Sequence, residues 1–402
     1  MRTRRSILFG LTLAWSTSLA RAQGGAGGVL TGVDVLEAEG FGPLVGRRIG
    51  LITNQTGRDR TGRRTIDVLN EAPGVRLAAL FSPEHGIEGR LEGKVVSGVD
   101  ARTGLPVHSL YGSSRRPSEE TLAGLDALVV DLQDVGVRFF TYATTLAYAL
   151  EAAAPLGLEV VVLDRPNPIA PAGVRGPVLD PDLKSFTGYI AAPVQHAMTM
   201  GELARMFDAE TRVGAKLTVV AMRGWRRDLW FDRTGLAWIN PSPNLRSLTQ
   251  AILYPGVGLV EGTNLSVGRG TPSPFEVAGA PWIDGGALAE ALRARRVAGV
   301  RLEPAAFTPA EDRYAGRACQ GVRFVLTDRD ALDAPRLGLE LALALRRLHP
   351  DRFVPDGMLG NLGSRRALAA VAAGEGAAAI MEGWRPGLQA FEAVRRRHLI
   401  YP

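Results

Sequence analysis

The stretch ALVVDLQDVG, residues 127–136, decides the fold. Ala127 to Leu132 is short, apolar and rich in β-branched residues, as expected of a strand buried on both faces of a parallel sheet. The run stops abruptly at Gln133 and Asp134, and Gly136 lets the chain turn. The same grammar recurs through the first half of the chain. Arg48–Thr53 (RIGLIT), Leu77–Phe81 (LAALF), Glu159–Asp164 (EVVVLD) and Leu217–Met222 (LTVVAM) read as four more strands. Helical patterns lie between them at Arg64–Asn70, Thr141–Pro155 and Met200–Thr211. Thr199 is placed to cap the last of these, and Glu202 completes a capping box. Strand–helix alternation of this kind implies an α/β fold with a Rossmann-like, doubly wound parallel sheet.

The pattern changes near residue 240. Asn240-Pro241-Ser242-Pro243-Asn244 cannot be regular structure, and Gly and Pro stay dense to about Trp282. Beyond it, Ala287–Arg296 reads as helix, Val322–Thr327 as strand, and Pro335–Leu348 and Ser364–Ala373 as helices. Pro386-Gly387 is expected to break the chain before a last helix, Leu388–Arg397. The Arg395-Arg396-Arg397-His398 end of that helix suits a helix C-terminus and a solvated face. The expected division is a signal peptide at 1–22, a Rossmann-like domain at 23–244 and a smaller α+β domain at 245–402. A flexible Gly-rich leader, residues 23–28, opens the first domain.

The signal peptide is read from Met1-Arg2-Thr3-Arg4-Arg5, an apolar run from Ile7 to about Trp15, and Ala20 and Ala22 in an A-x-A arrangement. Export to the periplasm or beyond is the expectation. Arg4-Arg5 fits a twin-arginine signal, or an ordinary signal that holds two arginines. The apolar run is shorter than the ~20 residues of a lasting bilayer span, so no stable membrane anchor is expected after cleavage. The signal also carries four of the 47 basic residues. The remaining 43 face 41 acidic ones, a net of +2, and no basic run with interleaved aromatics points to nucleic acid. The one cysteine, Cys319, lies beside the apolar 322–326 run and reads as a small buried residue.

Polar residues collect at strand ends, where open parallel sheets bind ligands. The first strand ends in Thr53-Asn54-Gln55-Thr56-Gly57 and the second in Ser82-Pro83-Glu84-His85-Gly86. The third ends in Asp131-Leu132-Gln133-Asp134 and the fourth in Asp164-Arg165-Pro166-Asn167-Pro168. Four such ends in succession favour a site over turn chemistry alone. Glu84 is the sharpest candidate. A carboxyl group at the mouth of an apolar cleft is desolvated and can donate a proton to a glycosidic oxygen; the alternative is a surface Glu in a βα loop. His85 reads as an orienting hydrogen-bonder. Tyr142 can line a sugar site or sit in the core, and His196 can face the cleft or hold the backbone. A second constellation, Glu261-Gly262-Thr263-Asn264 through Gly268-Arg269-Gly270-Thr271, offers Asn264 and Arg269 to a ligand. Its alternative is a Gly-rich loop with an internal salt bridge. Glycoside hydrolysis usually needs two carboxyl groups. Glu261, Asp131 and Asp134 are the candidates for the second, Asp131 being the one a structural role suits best.

Several chemistries find no motif. No G-x-G-x-x-G follows the first strand, no P-loop surrounds Gly93-Lys94, and no zinc spacing or G-x-S-x-G elbow occurs. No cofactor or metal is expected.

Pro83-Glu84-His85-Gly86, Asp131-Leu132-Gln133-Asp134-Val135-Gly136 and Asp164-Arg165-Pro166-Asn167-Pro168 occur in that order. Glu261-Gly262-Thr263-Asn264, Gly268-Arg269-Gly270-Thr271, Pro274-Phe275-Glu276 and Gly279-Ala280-Pro281-Trp282 follow. In this the chain, from about Gly32 to Tyr401, resembles a bacterial family of exo-β-N-acetylmuramidases. The resemblance implies a Rossmann-like domain, a smaller C-terminal domain, and a cleft between them. It implies release of N-acetylmuramic acid from non-reducing ends of peptidoglycan fragments, without a nucleotide cofactor, with Glu84 as the favoured catalytic residue. Arg269 or Arg165 would then read the lactyl carboxylate, and Asn264 or Asn54 the N-acetyl group. The chain departs from the family pattern at Ala197, where Gly is frequent, and at Val267, where many members carry Glu. The rivals are a periplasmic, non-catalytic sugar- or muropeptide-binding protein, and an esterase or amidase, for which no nucleophile or metal motif is evident.

Overall fold

The computed structural model describes residues 28–402; the signal peptide and most of the Gly-rich leader read from the sequence lie outside the described residues. Helix α1 (Gly32–Ala38) leads into β1 (Arg48–Thr53), α2 (Thr65–Asn70) and β2 (Arg76–Ser82). The short strands β3 (Gly98–Val99) and β4 (Pro106–Ser109) and one helical turn, α3 (Glu119–Leu122), precede β5 (Ala127–Asp131), α4 (Tyr142–Ala153) and β6 (Glu159–Leu163). A separate ribbon of β7 (Arg175–Val178) and β8 (Pro193–Gln195) comes before α5 (Met200–Thr211) and β9 (Lys216–Val220).

The main sheet has seven strands in the order β3-β4-β2-β1-β5-β6-β9. All pairings are parallel except that of the edge strand β3. The order runs outward from β1 on one side and β5 on the other, which is the doubly wound topology with its switch point between them. Side chains alternate between the two faces of each strand. Ile49, Leu51, Val129 and Val161 pack on one face with Leu36 of α1 and Leu69 of α2. Ile52, Leu128, Val130 and Val162 pack on the other with Leu146 of α4 and Leu203 and Phe207 of α5. Burial on both faces is why these strands read as unbroken apolar runs. All five strands read from the sequence are present, and β4 adds a sixth parallel one. The α5 cap is formed as expected: Thr199 Oγ1 accepts from the Glu202 N–H, and Glu202 accepts from the Thr199 N–H at 3.0 Å.

The second half builds α6 (Leu248–Val257), β10 (Val277–Ala280), α7 (Gly285–Arg293), β11 (Val300–Phe307), β12 (Cys319–Leu326) and α8 (Ala334–Leu348). Then come α9 (Leu359–Leu362), α10 (Arg365–Ala373), α11 (Ala377–Glu382) and α12 (Arg385–Arg395). Strands β10, β12 and β11 form an antiparallel sheet in that order. Helix α6 packs on α8 backbone to backbone: a Cβ on Gly338 would lie 2.2 Å from the Gly256 carbonyl oxygen. Cys319 is buried, as read.

Two expectations are corrected here. Pro386 lies in the first turn of α12, where its missing N–H has no helical partner to lose, so it starts the helix instead of breaking the chain before it. The basic end of α12 is a solvated face only at Arg396 and Arg397. Arg395 is buried and donates to the Ala197 carbonyl at 2.9 Å, and His398 meets Glu210 at 2.9 Å. These contacts return the chain's end to the first domain. There the Tyr401 hydroxyl donates to Asp164 Oδ2 at 2.6 Å, beside Thr199 Oγ1 at 2.7 Å. Burial pushes the Asp164 carboxyl up to about 6, against the pull of these donors.

Tyr401→Phe should remove one donor from a fully buried carboxylate and cost about 1–3 kcal/mol in urea unfolding; no change would show that the tail is not fastened there. The raised Asp164 binds its proton in the fold at a pH where the unfolded chain has released it. Its contribution is therefore present at acid pH and is lost as pH rises through about 6. Over that window wild type should lose stability relative to Asp164→Asn, read from urea midpoints on either side of it.

Candidate active site

The turn after β2 is set by two left-handed residues in succession, His85 (φ 72°) and Gly86 (φ 76°). They swing the chain away directly after Glu84 and leave its carboxyl group partly exposed. His85 is nearly buried behind it. Its Nδ1 meets the Leu91 carbonyl at 2.8 Å, so that nitrogen carries the proton and braces the following loop. The Glu84 carboxylate is oriented from a further strand end. Thr141, at the N-terminus of α4, donates from Oγ1 to Glu84 Oε2 at 2.5 Å. Tyr111, just beyond β4, lies near Glu84. Its phenol is pushed up to about 12 by burial and by Glu84.

The opposite wall comes from the second half of the chain. After α6 a single 3-10 turn leads to Glu261. A Cβ on Gly262 would lie 2.2 Å from the Gly357 carbonyl oxygen, so only glycine lets the backbone sit there and aim Glu261. Arg269 donates from Nε to Glu261 at 2.5 Å and lies 3.8 Å from Glu92. Glu92, on the loop that follows Glu84, also accepts from Asn244 Nδ2 at 3.2 Å. The internal salt bridge of the Gly-rich loop therefore exists, and both its partners line a cavity. That cavity measures about 450 Å³ and is bounded by Glu92, Asn244, Glu261, Val267, Arg269 and the 311–313 loop. Burial pushes the Glu261 carboxyl up; Arg269 opposes this, and the charges of Asp312 and Glu84 reinforce it. Glu84 is thus near enough for its charge to act on Glu261. Tyr254 of α6 lies in the same neighbourhood. Burial and the charges of Glu261, Glu84 and Asp134 hold its phenol well above the usual range, with Arg269 working against them.

Most of the other residues singled out from the sequence are scaffold. Asn54 is spent, donating to the Tyr142 hydroxyl at 2.7 Å and accepting from Thr56. Tyr142 is fully buried and donates to the Pro241 carbonyl at 2.9 Å, so it stitches loops together and does not stack on a sugar. Asn167 bonds Met198 and Ile169, and Asn264 bonds Arg352 and Val354. Arg165 is buried and donates to Asp131 through Nε and Nη2, the latter at 2.9 Å, so it cannot meet a substrate and Asp131 cannot act as a base. Asp134 and His196 form a buried pair, Nε2 to Oδ2 at 3.5 Å. His196 Nδ1 accepts from the Met198 N–H, which leaves the proton on Nε2, facing Asp134. Glu261 and Arg269 line the cavity, and Glu84 stays partly exposed near them. Thr141, Tyr111, Glu92 and Asn244 were missed. Tyr111 follows a strand too short to read, and the other three acquire their roles from partners distant in sequence. Among the described residues no group of His, Cys, Asp and Glu is arranged to hold a metal ion.

Comparison with known proteins adds the following. A family model for the N-terminal domain of exo-β-N-acetylmuramidase NamZ matches residues 49–249, and one for its C-terminal domain matches residues 252–401. The peptidoglycan β-N-acetylmuramidase NamZ of Bacillus subtilis (strain 168) is 41% identical over 378 residues, covering 93% of this chain and 91% of that protein. Two crystal structures of DUF1343 family proteins from Bacteroides fragilis are similar throughout. One has a TM-score of 0.83 at 33% identity, the other 0.76 at 29%; each match covers 93% of this chain and 99% of the other.

Arg165→Ala should strip the partner from fully buried Asp131 and cost about 3–5 kcal/mol in denaturant unfolding. A residue serving only as a ligand contact would leave the unfolding midpoint nearly unmoved.

Proposed function

The chain belongs to the exo-β-N-acetylmuramidase NamZ family, and from that premise we propose that it is an exo-acting glycoside hydrolase releasing N-acetylmuramic acid from the non-reducing ends of peptidoglycan fragments. The observation that carries the catalytic reading is the placement of Glu84 and Glu261. Glu84 is fixed at the end of a sheet strand, and Glu261, on the other domain, lines a cavity of sugar size and feels the charge of Glu84.

Glu84 is the general acid in this reading. Its proton passes to the glycosidic oxygen as the bond from that oxygen to the anomeric carbon breaks. Water adds its oxygen to the anomeric carbon, and the proton it loses restores the Glu84 carboxylic acid, so one water is consumed per bond cleaved. Glu261 is the second carboxyl group. It faces the positive charge that develops on the sugar ring, and Arg269 fixes its direction. The hydroxyl of Thr141 holds Glu84 in place, which keeps a proton donor aimed without reorganisation during the reaction. We place the enzyme in the periplasm or outside the cell, in the recycling of wall fragments, on the strength of the charged, apolar and Ala-x-Ala pattern of residues 1–22.

The test is sugar release from a chromogenic β-N-acetylmuramide, with the matching β-N-acetylglucosaminide beside it. Wild type should cleave the muramide alone. Glu84→Gln should lose about 10²–10⁴-fold in kcat with its unfolding midpoint kept. Cleavage of the glucosaminide alone would refute the substrate, and a fully active Glu84→Gln would refute the acid.

A further inference from the structure

An enzyme that releases muramic acid must tell it from glucosamine, and the two differ by one lactyl ether that ends in a carboxylate. Resting on the function proposed above, we propose that Arg313 reads that carboxylate and sets the preference for muramic acid. Arg269, the other guanidinium lining this cavity, is engaged, as are Arg165 and Arg246. Arg165 is buried on Asp131, Arg269 is paired with Glu261 and flanked by Glu92, and Arg246 donates to the Pro243 and Thr271 carbonyls. Arg313 lines the same cavity as Glu261 and makes no ion pair among the described residues.

The loop that carries it is built to hold a tip in place. Asp312 and Tyr314, on either side of Arg313, both take left-handed backbone, at φ 63° and 64°. Such residues are strained and persist only where neighbours over-determine them, commonly at ligand clamps. The neighbours are present. Ala310 donates its N–H to the Gly270 carbonyl at 2.8 Å, and Gly316 closes the loop on Pro309 at 2.8 Å. The Tyr314 hydroxyl donates to the Asn264 carbonyl at 2.9 Å and accepts from Trp282 Nε1 at 3.2 Å. This also gives the Asn264 and Gly270 region a purpose: its backbone anchors the loop. Asn244, on the cavity's other side, is 4% exposed, and its Oδ1 has no partner among the described residues. That is an acceptor left for a ligand in the wall of this cavity.

Four carboxylates, Glu92, Glu261, Glu311 and Asp312, line the cavity against two guanidiniums. The field as a whole therefore disfavours an anion. Preference for a carboxylate must come from a directed, two-pronged Arg contact, not from attraction at a distance, and should persist in salt that screens distant charges.

The experiment crosses the residue with the group it reads. The full-length enzyme is assayed on a chromogenic β-N-acetylmuramide and on the methyl ester of its lactyl group. Wild type should prefer the free acid. Arg313→Gln should lose about 10- to 100-fold in kcat/KM on the acid, mainly through KM because the contact is remote from the broken bond. It should lose far less on the ester, whose cleavage also reports that the variant folds. Arg313→Lys should fall between, keeping the charge without the fork. Equal losses on both substrates, no loss on the acid, or a crossed effect in Arg269→Gln and not in Arg313→Gln would each overturn the proposal while leaving the muramidase standing. A wild type inert on both substrates would overturn the function and this assignment with it.

Discussion

The buried ion pair between Asp131 and Arg165 orders the polar end of the sheet. Asp131 ends β5 at the switch point beside β1, where doubly wound folds usually hold their ligand. Here the crevice is filled from within. Arg165 grips Asp131 and also donates to the Arg58 carbonyl at 2.8 Å; Thr65 Oγ1 donates to Asp131; Gln133 reaches the Pro166 carbonyl at 2.7 Å. The space left over, bounded by Thr56, Gln133, Arg165 and Trp238, is only about 70 Å³. Ligand pockets run to roughly 300–1,000 Å³. The candidate site is displaced sideways, to the end of β2 and to the second domain. A buried charge cannot be left without a partner, so the crevice had to become structural once Asp131 was placed in it.

That displacement explains which parts of the molecule the sequence disclosed. The strands β1, β5 and β6 and the capped helix α5 were legible because their signals are local: apolar runs, β-branched residues, a Thr and a Glu three apart. Helix α6 was not, because Pro255 and Gly256 sit inside its ten residues and both disfavour helix. Tertiary contact with α8 overrides that preference, and Gly256 is there for the contact.

The site was half legible for the same reason. Polar residues at strand ends announce that something polar is being satisfied, but not by whom. Asn54 finds its partner in Tyr142 and Tyr142 in Pro241, 88 and 99 positions away. Nothing local distinguishes Asn54, which is spent on scaffold, from Glu84, which stays partly exposed. Glu84 and Glu261 stood out because glycines next to them demand special backbone, and those glycines are where the chain turns or approaches another stretch of backbone closely.

The two carboxylates are held by different chemistry, and this separates their roles. Glu84 meets the neutral hydroxyl of Thr141, which orients a carboxyl group in either protonation state. Glu261 meets a guanidinium, which favours its charged form against the cost of burial. Two carboxyl groups in unlike surroundings can divide acid and base duties between them. Their spacing depends on how the domains are joined. The Tyr142 hydroxyl holds the Pro241 carbonyl at the start of the crossing segment, Glu92 bridges to Asn244 and Arg269 at the cleft, and Tyr401 fastens the chain's end onto the first sheet. Four polar contacts far apart in sequence thus join the two domains, and the carboxyl spacing that this joint fixes decides whether water or a carboxylate oxygen can reach the anomeric carbon.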